Sequence, residues 1–148
     1  MPQSLADLNI HLVFSTKHRS PLLTETIRPQ LYPYFGGILR NIGCHPIQIG
    51  GVADHVHILF GLSRTMSMAQ AVEKVKTAST KWLKDNGSPD FAWQLGYGAF
   101  SVGSREVEQM TAYIRGQEKH HASVSFQDEL RSFLMEAGLE FDERYLWD

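Results

Sequence analysis

Two short β-rich runs, HPIQIGGVA (45–53) and HVHILFGL (55–62), meet at Ala53-Asp54, and that junction limits what the chain can fold into. Strands joined by so short a turn pair antiparallel as a hairpin. A helical pattern flanks the hairpin on each side. Upstream, ETIRPQLYPYFGGILRNIG (25–43) spaces Ile27, Leu31, Phe35, Ile38, Leu39 and Ile42 as one helix face, with Pro29 and Pro33 predicting an irregular first half. Downstream, SMAQAVEKVKTASTKWLKDNG (67–87) is the clearest helix, with Ser67 as N-cap and Asn86-Gly87 as its stop. DLNIHLVFST (7–16) alternates Ile10, Leu12 and Phe14 with polar positions, and YGAFSVG (97–103) is a further strand. The order β-α-β-β-α-β predicts an α+β, ferredoxin-like (RRM-like) antiparallel sheet with helices on one face. Ser104 is expected to cap a helix running to about His121, and FQDELRSFLMEAGL (126–139) predicts an amphipathic C-terminal helix.

A chain of 148 residues with 43% hydrophobic and 20% charged residues is one ordinary globular domain, 1–148. Its net charge of −2 hides an asymmetry. Residues 1–126 hold 12 Lys+Arg against 9 Asp+Glu, whereas 127–148 hold 2 against 7, so the acid belongs to a C-terminal helical tail from about 126. The body remains free to meet an anion. The apolar runs are too short to span a bilayer, the first residues lack a signal-peptide pattern, and the lone Cys44 allows no intrachain disulfide. Those features predict a cytoplasmic protein.

His55 and His57 stand at i and i+2 of a strand and therefore share a face, while Val56, Ile58 and Phe60 point to the other layer. From the pattern alone, the pair is either a pair of metal ligands or two half-exposed histidines on an open sheet face. Tyr113 and Gln117 lie four apart on the helix after the fourth strand and share a face there. Gln117 could add a neutral oxygen ligand, leaving positions open for a phosphate oxygen. Tyr113, whose phenol needs a base or a Lewis-acidic neighbour to attack near neutral pH, could be a nucleophile. His120 and His121 follow closely, either as partners of that site or as helix-end residues. Lys74, Lys81 and Lys84 form a basic stripe, Lys17 and Arg19 a second cluster, and Arg115 and Lys119 flank the tyrosine face. Each could contact a phosphate or simply be solvated. His11 is expected to pack in the sheet, as is Trp82 in the core.

ADHVHILF followed about fifty residues later by YIRGQEKHH resembles the HUH-class single-tyrosine transposases of IS200-like insertion sequences, which move as single-stranded DNA. VFSTKHRSPLL, VKTASTKWL and WQLGYGAFSV extend the likeness over most of the chain, up to about Glu129. The resemblance implies a transposase that binds hairpin ends and cuts and rejoins single-stranded DNA. It implies His55, His57 and Gln117 as ligands of Mg²⁺ or Mn²⁺, and Tyr113 as the nucleophile forming a 5′-phosphotyrosine. It also implies a homodimer with active sites completed in trans, a hinge at Val102–Ser104, and nucleoid association when DNA is bound. The rival readings are a non-catalytic or domesticated hairpin-binding regulator and a zinc hydrolase. The zinc reading lacks an evident carboxylate, because alternation would turn Asp54 away from His55.

Overall fold

The structure is a computed structural model describing residues 2–148. Four strands, β1 (Asn9–Ser15), β2 (His45–Gly51), β3 (His55–Gly61) and β4 (Gly98–Val102), form one antiparallel sheet in the order β2-β3-β1-β4. The β2–β3 hairpin turns at Val52–Asp54, as the sequence leads one to expect. Helices α1 (Arg28–Asn41) and α2 (Met68–Asp85) cover one sheet face. Pro29 occupies the first turn of α1, where no N–H is required, and the helix stays continuous across Pro33. Ser67 caps α2 by accepting from the Gln70 N–H, while the Gln70 side chain accepts from the Ser67 N–H.

The main core lies between this helix pair and the strands. Leu12, Phe14, Val56, Ile58 and Phe60 meet Leu31, Phe35 and Leu39 of α1 and Val72, Val75 and Leu83 of α2. Each such side chain contributes about 1.5–3 kcal/mol by leaving water. Trp93 belongs here too: it is buried against Phe14, Phe35 and Phe91 and donates to Ser79 Oγ at 3.0 Å. Trp82 is only half-buried and stacks on Tyr34 at 5.5 Å.

The opposite sheet face carries His11, Val13, His55, His57 and Leu59, and the second half of the chain covers it. The helix expected from Ser104 to His121 arrives in pieces: a 3-10 turn at Ser104–Glu106, α3 (Val107–Arg115) and α4 (Gln117–His120), broken at Gly116. Ser104 makes no side-chain cap, because the Glu106 N–H closes the tight turn on the Gly103 carbonyl at 2.8 Å. Two further helices follow, α5 (Phe126–Glu136), capped by Ser125, and α6 (Glu143–Leu146). Phe126, Leu130 and Leu134 of α5 pack on Val13. The acidic tail is therefore a structural layer over the histidine face. Among the described residues, no helix is long and apolar enough to cross a membrane.

Helix α3 approaches β2 closely at Gly50, beside His57 in the sheet register. A Cβ at Gly50 would lie 2.7 Å from the Ile114 carbonyl oxygen and 2.9 Å from its Cγ2. Gly50→Ala should therefore push α3 off the sheet, costing about 1–3 kcal/mol, and displace Tyr113 and Gln117 with it. A thermal melt checks the first effect, and an unchanged Tm would contradict it.

Candidate active site

Strand alternation sends His55 and His57 to the same face, where α3, α4 and α5 close over them completely. Both rings are fully buried, which removes the open-face alternative. Each ring has its outer nitrogen engaged and its Nε2 aimed inward. His55 Nδ1 meets Asp54 Oδ1 at 2.7 Å, and His57 Nδ1 meets His11 Nε2 at 2.7 Å. Engaging the outer nitrogen in this way fixes ring orientation and is what metal-binding histidines require. Asp54 does not turn away as alternation implied, because it sits in the hairpin turn rather than in the strand.

Gln117 is buried, with its Oε1 3.3 Å from His55 Nε2. The break at Gly116 does not separate it from Tyr113, since the Gly116 N–H bonds back to Ala112 and the His120 N–H bonds to Gly116. Tyr113 is half-buried, its ring centroid 6.0 Å from that of His57. His120 Nε2 lies 3.2 Å from the phenol oxygen, and His121 packs its ring 4.3 Å from that of His55. Tyr113, His55, His57, Gln117, His120 and His121 thus meet in one place on one chain.

The residue that sequence reasoning missed is Glu129, on α5. Its side chain is buried, and its carboxylate stands at the centre of the cluster. Oε1 faces His57, His121 and His55 Nε2 at 2.9, 3.1 and 3.3 Å. Oε2 accepts from Gln117 Nε2 at 3.1 Å and from the Tyr113 hydroxyl. A signal existed: Phe126, Leu130, Phe133 and Leu134 define the apolar face of α5, and Glu129 falls on that same face.

This environment sets the charges. Burial would raise the Glu129 carboxyl, but hydrogen bonds from His121, His55 and His57 hold it well below the ordinary carboxylate range. Burial and the bond to Glu129 push the Tyr113 phenol upward, so it stays protonated. Burial would lower His55, yet Asp54 and Glu129 raise it. Burial lowers His57 to about 4, and burial together with the neighbouring His57 lowers His11 to about 3.

Those two rings predict acid sensitivity. An unfolded histidine protonates near 6.5, so below that pH the unfolded chain binds more protons than the fold does. Their contribution is complete above pH ~6.5 and is lost as pH falls toward 4 and 3, at about 1.4 kcal/mol per pH unit for each ring. His55, raised, offsets part of it. The metal-free protein should melt several degrees lower at pH 5 than at pH 7, and an equal or higher Tm at pH 5 would contradict the assignment.

Two openings reach the cluster. A groove of about 780 Å³ is bordered by Arg19, Arg28, Asp54, His121 and Phe126, and a smaller pocket of about 340 Å³ opens beside Tyr113, lined by His120, Asp128 and Glu136. Of the basic candidates, Arg19 borders the groove and Lys17 is exposed next to it. Arg115 and Lys119 are exposed on α3 and α4. Lys74, Lys81 and Lys84 are exposed on α2, in the layer across the sheet from the histidines. Lys76, between them, is spent on structure: its ammonium caps the Gln94, Leu95 and Gly96 carbonyls.

The donor set suits a divalent cation. Imidazole nitrogens, an amide oxygen and a carboxylate converge, and one donor atom from each of His55, His57, His121 and Glu129 lies within 4.8 Å of the others.

The chain is thus an α+β domain whose antiparallel sheet gathers histidines and a helix-borne tyrosine on one covered face. The chain belongs to the IS200-like transposase family, whose sequence profile matches residues 4–117, and it has a transposase role. Two solved structures share the fold. One, provisionally described as a transposase from Deinococcus radiodurans R1, is 22% identical with a TM-score of 0.64, covering 79% of this chain and 98% of its own. The other, a REP-associated tyrosine transposase bound to a REP hairpin, is 14% identical with a TM-score of 0.61, covering 84% of this chain and 74% of its own. No curated protein matches the chain.

Proposed function

We propose that residues 1–148 act as a single HUH-type domain that binds hairpin ends of an insertion sequence and cuts and rejoins single-stranded DNA through Tyr113. The observation that carries this reading is the convergence of two inward-facing imidazole Nε2 atoms, the Gln117 amide oxygen and the Tyr113 hydroxyl in one buried cluster. His55, His57 and Gln117 would hold Mg²⁺ or Mn²⁺, which when bound supplies Lewis-acid polarisation of a phosphate oxygen.

The chemistry of the chain's own groups is a transesterification. The Tyr113 oxygen bonds to phosphorus as the bond to the 3′ oxygen breaks. The phenol proton leaves by way of His120, 3.2 Å away, and ends on the 3′-hydroxyl. The phosphodiester is retained as a 5′-phosphotyrosine, so rejoining by reversal needs no external energy source. The Tyr113–Glu129 bond must open first, since it stabilises the protonated phenol.

Lys17, Arg19, Arg115 and Lys119, on the histidine side, are suited to the strand being cut. Lys74, Lys81 and Lys84 offer a separate surface to a hairpin stem. The REP hairpin carried by one structural relative supports a hairpin substrate. A homodimer with sites completed in trans would require α3 to leave its own histidines. In such a dimer, Tyr113 of one subunit would meet His57 of the other as it meets His57 here. A DNA-acting family supports work in the cytoplasm, on the nucleoid when DNA is bound.

The test is cleavage of an end-labelled single-stranded hairpin with flanking sequence. Cleavage with Mn²⁺ or Mg²⁺ and none with chelator is expected. Cleavage indifferent to chelator would overturn the metal part, and no cleavage under any condition would favour the non-catalytic hairpin binder.

A further inference from the structure

We propose that Glu129 is itself a ligand of the divalent ion, so that the C-terminal helix α5 contributes to the metal site; this rests on the metal-dependent reading above. Glu129 lies outside the family-matched stretch, residues 4–117, so that match assigns it nothing. The case begins with cost. A carboxylate almost wholly removed from water, among aromatic and aliphatic side chains, needs a cationic partner. Among the described residues neither Lys nor Arg reaches it: its partners are His55, His57, His120, His121, Gln117 and Tyr113.

Geometry then fits an ion. Neighbouring ligands on an octahedral ion with bonds of about 2.1 Å lie about 3.0 Å apart. Glu129 Oε1 stands 2.9, 3.1 and 3.3 Å from the Nε2 atoms of His57, His121 and His55. Those separations suit donors sharing one cation, as they also suit the hydrogen bonds that join them here, and a hard carboxylate oxygen complements imidazoles toward Mn²⁺. The second oxygen has a different task. Oε2 accepts the Gln117 N–H, which turns the amide Oε1 inward toward His55 Nε2. One side chain thus supplies a donor atom and orients another ligand.

Because α5 carries the ligand, docking of α5 and binding of the ion are thermodynamically linked, each strengthening the other. The test uses Mn²⁺ on the full chain, by calorimetry and by hydrogen exchange of the α5 amides. Wild type, His57→Ala, Glu129→Gln and Glu129→Asp are compared, with metal-free melts confirming that each variant folds. Wild type should bind, Glu129→Gln should bind at least ~10-fold more weakly, and Glu129→Asp should recover part of the loss. Mn²⁺ should slow exchange in α5 of wild type and leave Glu129→Gln unchanged. If Glu129→Gln binds Mn²⁺ as tightly as wild type while His57→Ala does not bind, Glu129 is a plug beside the site rather than a ligand. If wild type fails to bind at all, the metal reading falls with it. Should Glu129→Gln not fold, α5 exchange in the wild type decides: Mn²⁺ binding that leaves the α5 amides unchanged would overturn the assignment.

Discussion

Tyr113→Phe should eliminate the covalent protein–DNA adduct and lower single-strand cleavage by ~10³-fold or more, because no other hydroxyl occupies the nucleophile's position. The substitution removes one oxygen and keeps the ring, which packs at 5.8 Å from Phe133 and 6.0 Å from His57. The fold should survive. Glu129 Oε2 retains the Gln117 N–H, so the lost phenol bond costs on the order of 1 kcal/mol. Hairpin affinity should change little, since the phenol is not among the exposed basic groups that would meet phosphates. Denaturing gels with labelled DNA read the adduct, and filter binding reads the affinity. A Phe variant that still forms adduct would remove Tyr113 from the mechanism. A variant that loses binding and cleavage together would make Tyr113 a structural residue.

The second large effect belongs to His57→Ala. His57 is fully buried, pairs with Val13 and Gly50 in the sheet, and bonds His11 on one side and Glu129 on the other. Truncation leaves a cavity and strips partners from two buried polar groups, so stability should fall by about 2–4 kcal/mol. It also removes a ligand, so cleavage should fall ~10²-fold or more even where the variant is folded. Melting with and without Mn²⁺ separates the two causes. The ion should raise the wild-type Tm, as any ligand bound only by the fold does, and leave that of the variant unmoved. An equal Mn²⁺-induced shift in both would show that His57 is not a ligand.

Much of this was legible in the sequence, for reasons that differ from element to element. The β2–β3 hairpin and α2 could be read because strand alternation, the Ser67 cap and the Asn86-Gly87 stop are local signals that agree with one another. The shared face of His55 and His57 follows from strand periodicity alone. The break at Gly116 was hidden because helical spacing continues through it, and the Ser104 cap failed because a 3-10 turn satisfies the Glu106 N–H instead. Asp54 was misdirected by applying alternation to a turn residue. Glu129 escaped for a different reason. The tail's excess acid was read only as a charge balance, whereas the position of Glu129 on the apolar face of α5 makes it an inward charge with the histidines as its partners. That pairing spans 72 residues between His57 and Glu129, and no local pattern encodes it.

The central claim is that Tyr113 attacks phosphorus, and peptide mapping of the trapped adduct tests it most directly. Protein incubated with single-stranded hairpin DNA and Mn²⁺, digested with nuclease and protease, should yield the peptide containing Tyr113 carrying a 5′-phosphotyrosine. A phosphotyrosine at exposed Tyr97 or Tyr145 instead, or no modified peptide from protein that has cut its substrate, would contradict the account.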